Sequence, residues 1–393
     1  MRVVIDLTRL NGSYGYGVEM FSEGFALGLC KSLPDKLIEV VVTPESTGWI
    51  TKILAGRVTN YRIVTCEPYL SFILDRFLAL VYHSLLPQKF HSKIQNLKWK
   101  NLKLVYRDAL VFVPTTYLNV TFGKNVVVCL HDCQEKIFPD YFTSNNLSYR
   151  EIHLKDTLRK TSVIQFSSLF IQTEFEKFFP RQLGKNFVVP EGVNTGAFLV
   201  QSKEEDNNVL TILVPGSYSP HKGHMNIVKA ILQTDRELPL RVIFTGKMNN
   251  LGQEIASAIK QSGEKRIELV GYIDRDKFYD FYSRADVVLS ASEYESSSLP
   301  LLEGYCARCI LLASAIPAHL EMAGTIPINF FDPQNPSELA SIFTHLYHEK
   351  INKSLKYPAL NTVVLREIDW QMRARKSFDN SLGILALRSS FMS

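Results

Sequence analysis

The chain has 393 residues, of which 46% are hydrophobic and 21% are charged. This length accommodates two domains of ordinary size, and the composition excludes a disordered or fibrous protein. The formal net charge is only +5, but residues 68–107 hold seven basic residues and one acidic residue. The excess positive charge of the N-terminal half is therefore confined to one segment.

The start of the chain, its apolar runs and its cysteines indicate where we expect the protein to be located. The start MRVVIDL has a strand pattern and lacks the basic flank and long apolar core of a signal peptide. No run of apolar residues reaches the length of a membrane-spanning helix. Cys306 and Cys309 have the spacing of half a metal site, but no second pair matches it. We predict a cytoplasmic protein with reduced structural cysteines.

The chain opens with an apolar strand at Val3–Leu7, a loop containing Gly12, Gly15 and Gly17, and a helix from about residue 18 to 32. Strand, glycine loop and helix form the start of a Rossmann-like unit. The glycine spacing is not that of a dinucleotide-binding loop, and the second predicted strand does not end on an acid. We therefore do not expect NAD as a cofactor.

The positively charged segment continues as a predicted amphipathic helix at 89–107. Its basic residues fall on one side of the helix and its apolar residues on an adjacent side, with Trp99 near the boundary. This pattern is typical of an element that binds an anionic membrane surface, and equally of a solvated face over a packed helix. Nucleic acid is not expected as a partner, because aromatic residues are not interleaved with the charges.

The strand Asn125–Leu130 ends at His131, which lies where parallel sheets bind ligands; the alternative is a core histidine bonded to the backbone. The polar stretch 202–208 then marks a linker, after which a second series of strands and helices begins. The pattern predicts an α/β protein with two doubly wound Rossmann-like domains, 1–200 and 201–369, which face a central cleft.

The second half carries a predicted anion site. Lys222 lies in the first loop of the series, SYSPHKGH, and can neutralise a diphosphate unless it is merely solvated. A buried strand from residue 287 leads to a loop with Glu295 and to a helix that begins near Pro300 and carries Glu303. A helix N-terminus binds phosphate, and two acids beside it suit sugar hydroxyls. These features predict a binding site for a nucleotide sugar. No metal-binding cluster such as Asp-x-Asp is evident in the sequence, so we expect no metal ion at this site.

The segment ESSSLPLLE at 295–303 resembles the E-x7-E motif of retaining glycosyltransferases of the GT-B fold, the group 1 family. Other segments resemble that family in the same order, namely YGYGVEM, VVVCLHD, VVPEGVN, VPGSYSPHKGH, VGYID, YSRADVVLSAS, SAIPAHLE, FFDPQNPSELA and IDWQ. The resemblance covers nearly the whole chain. It also implies that a C-terminal helix, about 370–385, crosses back onto the first domain.

The resemblance implies roles for particular residues. Glu295 would contact the transferred sugar, Glu303 the ribose and Lys222 the diphosphate. The implied catalytic residues are Glu295, His131 and Lys222. The implied donor-binding residues are Gly15, Gly17, Ser217, Lys222, Glu295, Ser298, Leu299 and Glu303.

The implied activity is the metal-independent transfer of a hexose, with retention of configuration, from a nucleotide diphosphate sugar. The expected acceptor is a saccharide, most simply a lipid-linked saccharide of a cell-surface polysaccharide at the inner face of the membrane. The sequence does not identify the base or the sugar of the donor.

Six residues depart from the family pattern. Ser217 stands where many members have arginine, and Ser296 and Ser298 replace two glycines. Arg308 stands where glycine usually ends the helix, Ile310 where proline usually follows, and Glu191 replaces an asparagine. These departures leave open a catalytically degenerate binding subunit of the same fold. A nucleotide-sugar epimerase or a phosphorylase of related architecture is a further alternative.

Overall fold

The computed structural model describes residues 1–12, 17–66, 102, 105–118, 122–180, 186–199, 208–273 and 275–390. Gly15, most of the predicted helix at 89–107 and the linker residues 202–207 lie outside the described residues. No helix in the described part of the chain is long and apolar enough to cross a membrane.

The chain divides into two compact units, Met1–Pro190 with Trp370–Ser393, and Glu191–Asp369. The predicted boundary at residue 200 differs, because residues 191–200 belong to the second unit. Val193 donates its N–H to the carbonyl oxygen of Ile368 at 2.8 Å and pairs with Asp369 as a parallel bridge. The segment after Pro190 is therefore bonded to the end of the second unit, before the predicted linker begins.

Unit 1 contains a seven-stranded parallel sheet in the order β3-β2-β1-β4-β5-β6-β7. Its strands are β1 Val3–Asp6, β2 Ile38–Val42, β3 Tyr61–Thr65, β4 Leu110–Val113, β5 Asn125–Leu130, β6 Val163–Phe166 and β7 Asn186–Val188. Its α-helices are Gly17–Ser32, Thr47–Leu54, Gln134–Ile137, Ser144–Lys160, Leu169–Phe178 and Trp370–Ser390.

Two glycines bring the first helix of unit 1 close to the last helix of the chain. A Cβ atom on Gly24 would collide with the indole of Trp370, and one on Gly28 would collide with the Trp370 carbonyl group. Glycines four residues apart lie on one face of a helix, so this face accepts the start of the helix Trp370–Ser390.

Unit 2 contains a six-stranded parallel sheet in the order β10-β9-β8-β11-β12-β13. Its strands are β8 Leu210–Pro215, β9 Leu240–Thr245, β10 Ile267–Gly271, β11 Val287–Ser290, β12 Ile310–Ser314 and β13 Asn329–Phe331. Its α-helices are Thr195–Leu199, His224–Gln233, Asn250–Ser262, Arg275–Arg284, Leu299–Cys306, Pro317–Met322, Pro336–Ile351 and Thr362–Ile368.

The central strands are buried along their whole length, as in β1, β4, β11 and β12. Parallel sheets are covered by helices on both faces, which explains the continuous apolar runs in the sequence. The two sheets confirm the predicted α/β class with two Rossmann-like units.

A buried ion pair ties the last long helix of unit 2 to the amino end of β11. Lys350 Nζ lies 2.6 Å from Asp286 Oδ2, and both side chains are almost fully buried. Asp286 also accepts hydrogen bonds from the Tyr357 hydroxyl at 2.6 Å and from the Thr211 N–H at 2.8 Å. This cluster lies at the sheet edge opposite the loops that carry Lys222 and Glu295, so its role is structural.

Candidate functional site

The candidate site of unit 2 lies where the strand order of the sheet reverses. Successive strands run outward from β8 in one direction as far as β10, and then from β11 in the other direction as far as β13. β8 and β11 are parallel neighbours, so the loops after them leave the sheet at the same edge. In open α/β sheets, ligands bind at such a point because the loops diverge there.

The two loops bring Lys222 and Glu295 together. We call residues 216–223, after β8, the lysine loop, and residues 291–298, after β11, the glutamate loop. Lys222 Nζ lies 2.5 Å from Glu295 Oε1, and the exposed fractions of the two side chains are 23% and 12%. The same Glu295 oxygen accepts a hydrogen bond from the Ser292 hydroxyl at 2.6 Å.

The charge state of Glu295 follows from these contacts. Burial, the largest single effect, raises the pKa of its carboxyl group, but the charge of Lys222 and the hydrogen bonds from Lys222 and Ser292 together outweigh it. The net effect is a lowered pKa, so Glu295 is an anion at neutral pH. The site therefore holds an oriented carboxylate beside a cation.

Backbone contacts fix the two loops against each other. The N–H of Glu293 donates to the carbonyl oxygen of His221 at 2.7 Å. Gly223 has a φ of +67°, and a Cβ atom at this position would collide with the carbonyl oxygen of Ala291. Only glycine satisfies both conditions, which explains why it follows Lys222.

The glutamate loop ends at the start of the helix Leu299–Cys306, which we call the site helix. Ser298 is its N-cap residue, and Pro300 lies in its first turn as predicted. The Ser298 hydroxyl does not cap the helix; it is buried and has no hydrogen-bond partner among the described residues. Pro300 has no N–H, and the N–H groups of Leu301 and Leu302 donate to the Ser298 carbonyl oxygen. The buried Ser298 hydroxyl at the positive end of the site helix is therefore the group suited to an anion.

The second acid of the motif has a different environment. Glu303 lies on the buried side of the site helix, and Glu303 Oε2 accepts a hydrogen bond from the Tyr282 hydroxyl at 2.5 Å. Burial, followed by the charge of Glu303 and this hydrogen bond, raises the pKa of Tyr282. Tyr282 is therefore a hydroxyl donor that holds the Glu303 carboxylate.

Glu191 is a third carboxyl group near this pair of acids. It is buried, and burial is the largest of the effects that raise its pKa from 4.5 to about 8. The charges of Glu295 and Glu303 raise it further, and Lys222 opposes them. At neutral pH, Glu191 is consequently a neutral acid beside the ionised Glu295.

Two of the implied residues of the first unit, His131 and Gly17, are described, and both follow strands at the carboxyl edge of its sheet. His131 follows β5 and is buried; its Nε2 lies 2.8 Å from the Pro114 carbonyl oxygen, so Nε2–H donates to that oxygen. Its ring also packs edge-on against Phe21 at 4.6 Å. These contacts fit the alternative of a core histidine bonded to the backbone. Gly17 is exposed at the first residue of its helix.

The structure thus groups six predicted residues in unit 2, namely Lys222, Ser217, Glu295, Ser298, Leu299 and Glu303. Ser217, in the lysine loop, has its hydroxyl 3.4 Å from that of Ser219. Sequence reasoning missed Ser292, Tyr282 and His319, which contact or influence the two acids. All three lie in segments that resemble the family, since Tyr282 and Ser292 begin and end YSRADVVLSAS and His319 lies in SAIPAHLE.

In the described part of the chain, no three His, Cys, Asp or Glu side chains converge as metal ligands would. All six cysteines are buried thiols that form no disulfide bond among the described residues. Cys309, half of the apparent metal pair, donates its S–H to the carbonyl oxygens of Tyr282 and Ala285, each at 3.3 Å. This cysteine is part of the packing of unit 2.

Part of the chain matches a known protein family. Residues 197–359 match the family model described as "Glycosyl transferases group 1". No curated protein sequence matches the chain.

Among solved structures, HepE of Anabaena, crystallised with UDP and glucose, is similar with a TM-score of 0.65 and 16% identity, over 100% of this chain and 99% of that one. A glycosyltransferase from Rickettsia africae has a TM-score of 0.62 and 17% identity, over 98% of each chain. WaaG, a glycosyltransferase involved in lipopolysaccharide biosynthesis, has a TM-score of 0.58 and 13% identity, over 96% of this chain and 95% of that one. The chain has the two-domain GT-B fold of these proteins, and its residues 197–359 are similar to the group 1 glycosyl transferases.

Proposed function

We propose that this protein is a retaining glycosyltransferase that moves a hexose from a nucleotide diphosphate sugar to a saccharide acceptor. The observation that carries the proposal is the meeting of Lys222 and Glu295 next to the start of the site helix. A cation, a buried free hydroxyl and helix N–H groups suit a diphosphate, and an oriented carboxylate suits a sugar hydroxyl. The match to the group 1 family model supports sugar transfer.

The proposed roles follow from the positions of the groups. Lys222 and the first turn of the site helix, at Ser298 and Leu299, stabilise the charge that develops on the leaving diphosphate. Glu295 holds the hexose, and Glu303, fixed by Tyr282, binds the ribose. The resemblance assigns His131, Gly15 and Gly17 of the first unit to the same donor.

The proposed reaction occurs on one face of the sugar. The bond between the anomeric carbon and the diphosphate oxygen breaks while the acceptor oxygen bonds to the same face of that carbon. The proton of the acceptor hydroxyl passes to the departing diphosphate, so no protein nucleophile is needed. Electrostatic stabilisation by Lys222 and the helix start takes the place of a metal ion in this scheme.

We further propose that the acceptor is a lipid-linked saccharide of a cell-surface polysaccharide, at the cytoplasmic face of the membrane. The excess of basic residues in 68–107 supports this proposal, because such segments bind anionic lipids. Flotation of the full chain with anionic liposomes tests it: binding is expected at low salt and is expected to weaken as salt increases. If the protein stays at the bottom of the gradient at low salt, only the solvated-face interpretation remains.

A binding subunit without activity is the second candidate function. Ser217 favours it, because many family members have an arginine here that would add a second cation near the diphosphate. In this chain that position offers only a hydroxyl, 3.4 Å from the Ser219 hydroxyl.

The test is a thermal-shift screen with UDP, GDP and dTDP sugars, followed by a transfer assay with extracted lipid acceptor. UDP sugars come first, because HepE was crystallised with UDP-glucose. We expect Lys222→Ala and Glu303→Ala to abolish transfer, while Lys229→Ala, on an exposed position of the next helix, leaves it unchanged. Unchanged transfer in both site variants contradicts the assigned roles. The absence of binding to every nucleotide sugar would favour the binding subunit.

A further inference from the structure

His319 lies beneath the glutamate loop and has no exposed surface. It belongs to the helix Pro317–Met322, which follows β12. Its Nδ1 is 2.9 Å from the carbonyl oxygen of Ser314, and its Nε2 is 3.3 Å from the hydroxyl of Ser290. Ser290 and Ser314 are the last residues of β11 and β12. The imidazole therefore joins the carboxyl ends of the neighbouring strands β11 and β12, and the glutamate loop begins at the end of β11.

These partners determine the protonation of the ring. A carbonyl oxygen only accepts hydrogen bonds, so Nδ1 must carry a proton that it donates to Ser314. Burial, the largest effect, lowers the pKa of His319, although Glu295 and the Ser314 hydrogen bond oppose it. The ring is therefore neutral at pH 7, and Nε2 accepts a hydrogen bond from the Ser290 hydroxyl.

A chain of hydrogen bonds leads from this ring to Glu295. The Ser314 hydroxyl lies 3.2 Å from Nδ1 and donates to the carbonyl oxygen of Ser292. The side chain of Ser292 in turn donates to Glu295 Oε1 at 2.6 Å. Ser292 and Ser314 are both almost fully buried, so water does not compete with these bonds. The orientation of the Glu295 carboxylate therefore depends on where Ser292 is held.

We propose that His319 is a positioning residue, which orients the Glu295 carboxylate toward the transferred sugar through Ser314 and Ser292. The inference rests on the proposed function, because it assigns Glu295 to the sugar. His319 itself contacts neither the donor nor the acceptor. The Lys222 ammonium bonds to the same oxygen, Glu295 Oε1, as the Ser292 hydroxyl, so two groups hold this end of the carboxylate.

The first test compares three substitutions of His319. His319→Leu fills the space but removes both hydrogen bonds. His319→Asn places an amide N–H near the position of Nδ1 and keeps the bond to Ser314. His319→Gln places its amide near Nε2 and keeps only the contact with Ser290. We expect kcat to fall roughly 10- to 100-fold in the leucine and glutamine variants and to be largely rescued in the asparagine variant.

The second readout is the affinity for the nucleoside diphosphate that stabilises the wild type best among UDP, GDP and dTDP. A loss of folding would reduce binding and turnover together. Loss of Glu295 positioning reduces kcat without weakening diphosphate binding, because Lys222 and the site helix are unchanged. His345→Gln is the matched control, since the His345 side chain is 72% exposed and lies 3.6 Å from Glu349 of its own helix. The kinetics of this variant should equal those of the wild type.

The third variant, Ser292→Ala, removes only the last hydroxyl of the chain of hydrogen bonds. If His319 acts through Ser292, adding His319→Leu to Ser292→Ala lowers kcat less than the product of the two single effects. Independent multiplication of the effects, or wild-type kcat in His319→Leu, overturns the proposal. Absence of turnover in the wild type would instead refute the proposed function, so the two failures are distinguishable.

Discussion

The ion pair between Lys222 and Glu295 has a consequence for donor binding. In the proposed function Lys222 binds the diphosphate, but in this structure it is bonded to Glu295 at 2.5 Å. A diphosphate must therefore compete with Glu295 for the same ammonium group. Glu295→Gln removes the competing charge and keeps the size of the side chain. We predict that this variant binds UDP more tightly while its transfer activity falls.

The expected gain in UDP affinity follows from the burial of the ion pair between Lys222 and Glu295. Exposed ion pairs contribute about 0.2–1 kcal/mol, whereas breaking a fully buried one costs about 3–5 kcal/mol. The side chains of Lys222 and Glu295 are 23% and 12% exposed, so this pair lies between the two limits. About 1–2 kcal/mol released to the diphosphate corresponds to roughly a 5- to 30-fold lower Kd.

The assay is isothermal titration of the wild type and the variant with UDP at one salt concentration. Glu293→Gln is the matched control, because it removes the same charge two residues away, where Glu293 accepts a hydrogen bond from Gln334 at 2.8 Å. Weaker UDP binding by Glu295→Gln, or an equal gain in both variants, would refute the competition between Glu295 and the diphosphate.

Three further predictions concern stability. Since the pKa of Glu191 is raised from 4.5 to about 8, the folded state binds more protons than the unfolded state between these values. Its stability therefore falls as pH rises through that window, by at most roughly 5 kcal/mol, and Glu191→Gln should become the more stable protein above pH 8. Arg308 has a φ of +58°, so Arg308→Gly should stabilise the fold by about 0.5–1 kcal/mol. Lys350→Met leaves Asp286 charged and buried, and we expect a loss of about 3–5 kcal/mol.

Urea denaturation measures all three effects, with Glu191→Gln followed from pH 5 to 9. A difference between that variant and the wild type that does not change with pH contradicts the raised pKa. Arg241→Met is the control for Lys350, because its ion pair with Glu268 is about half exposed and should contribute less than about 1 kcal/mol. Equal losses in the two methionine variants would mean that burial of the pair is irrelevant. Lower stability of Arg308→Gly would mean that side-chain contacts of Arg308 outweigh its strained backbone.

The sequence predicted the site helix in detail because its signals are local. Pro300 lies in the first turn as expected, and the apolar residues after it, Leu301, Leu302, Tyr305 and Cys306, are buried. Arg308 was identified as unusual, and the structure shows the physical reason. Its N–H and that of Cys309 close the helix by bonding to Tyr305 and Gly304 at 2.9 and 2.8 Å, a geometry that requires the left-handed conformation at Arg308.

The sequence predicted other features of the site only incompletely. A serine at the N-cap position normally caps its helix, but the Ser298 hydroxyl is buried without a partner among the described residues. The sequence predicts the domain boundary next to the polar stretch 202–208. The contacts of Val193 with Ile368 and Asp369, however, place residues before that stretch in unit 2. Composition indicates where a chain is polar, whereas a boundary depends on which residues pair.

The sequence by itself determined the alternation of buried strands and helices, because burial on both faces of a parallel sheet requires apolar runs of a set length. It also determined that Lys222 and Glu295 each follow such a strand. Only the tertiary structure decided that they meet, since β8 and β11 are neighbours although 73 positions separate the two side chains. The same holds for Tyr282 beside Glu303 and for His319 beneath the glutamate loop. The periodicity of apolar residues shows which face of a helix or strand is buried, whereas the strand order of the sheet determines which residues meet.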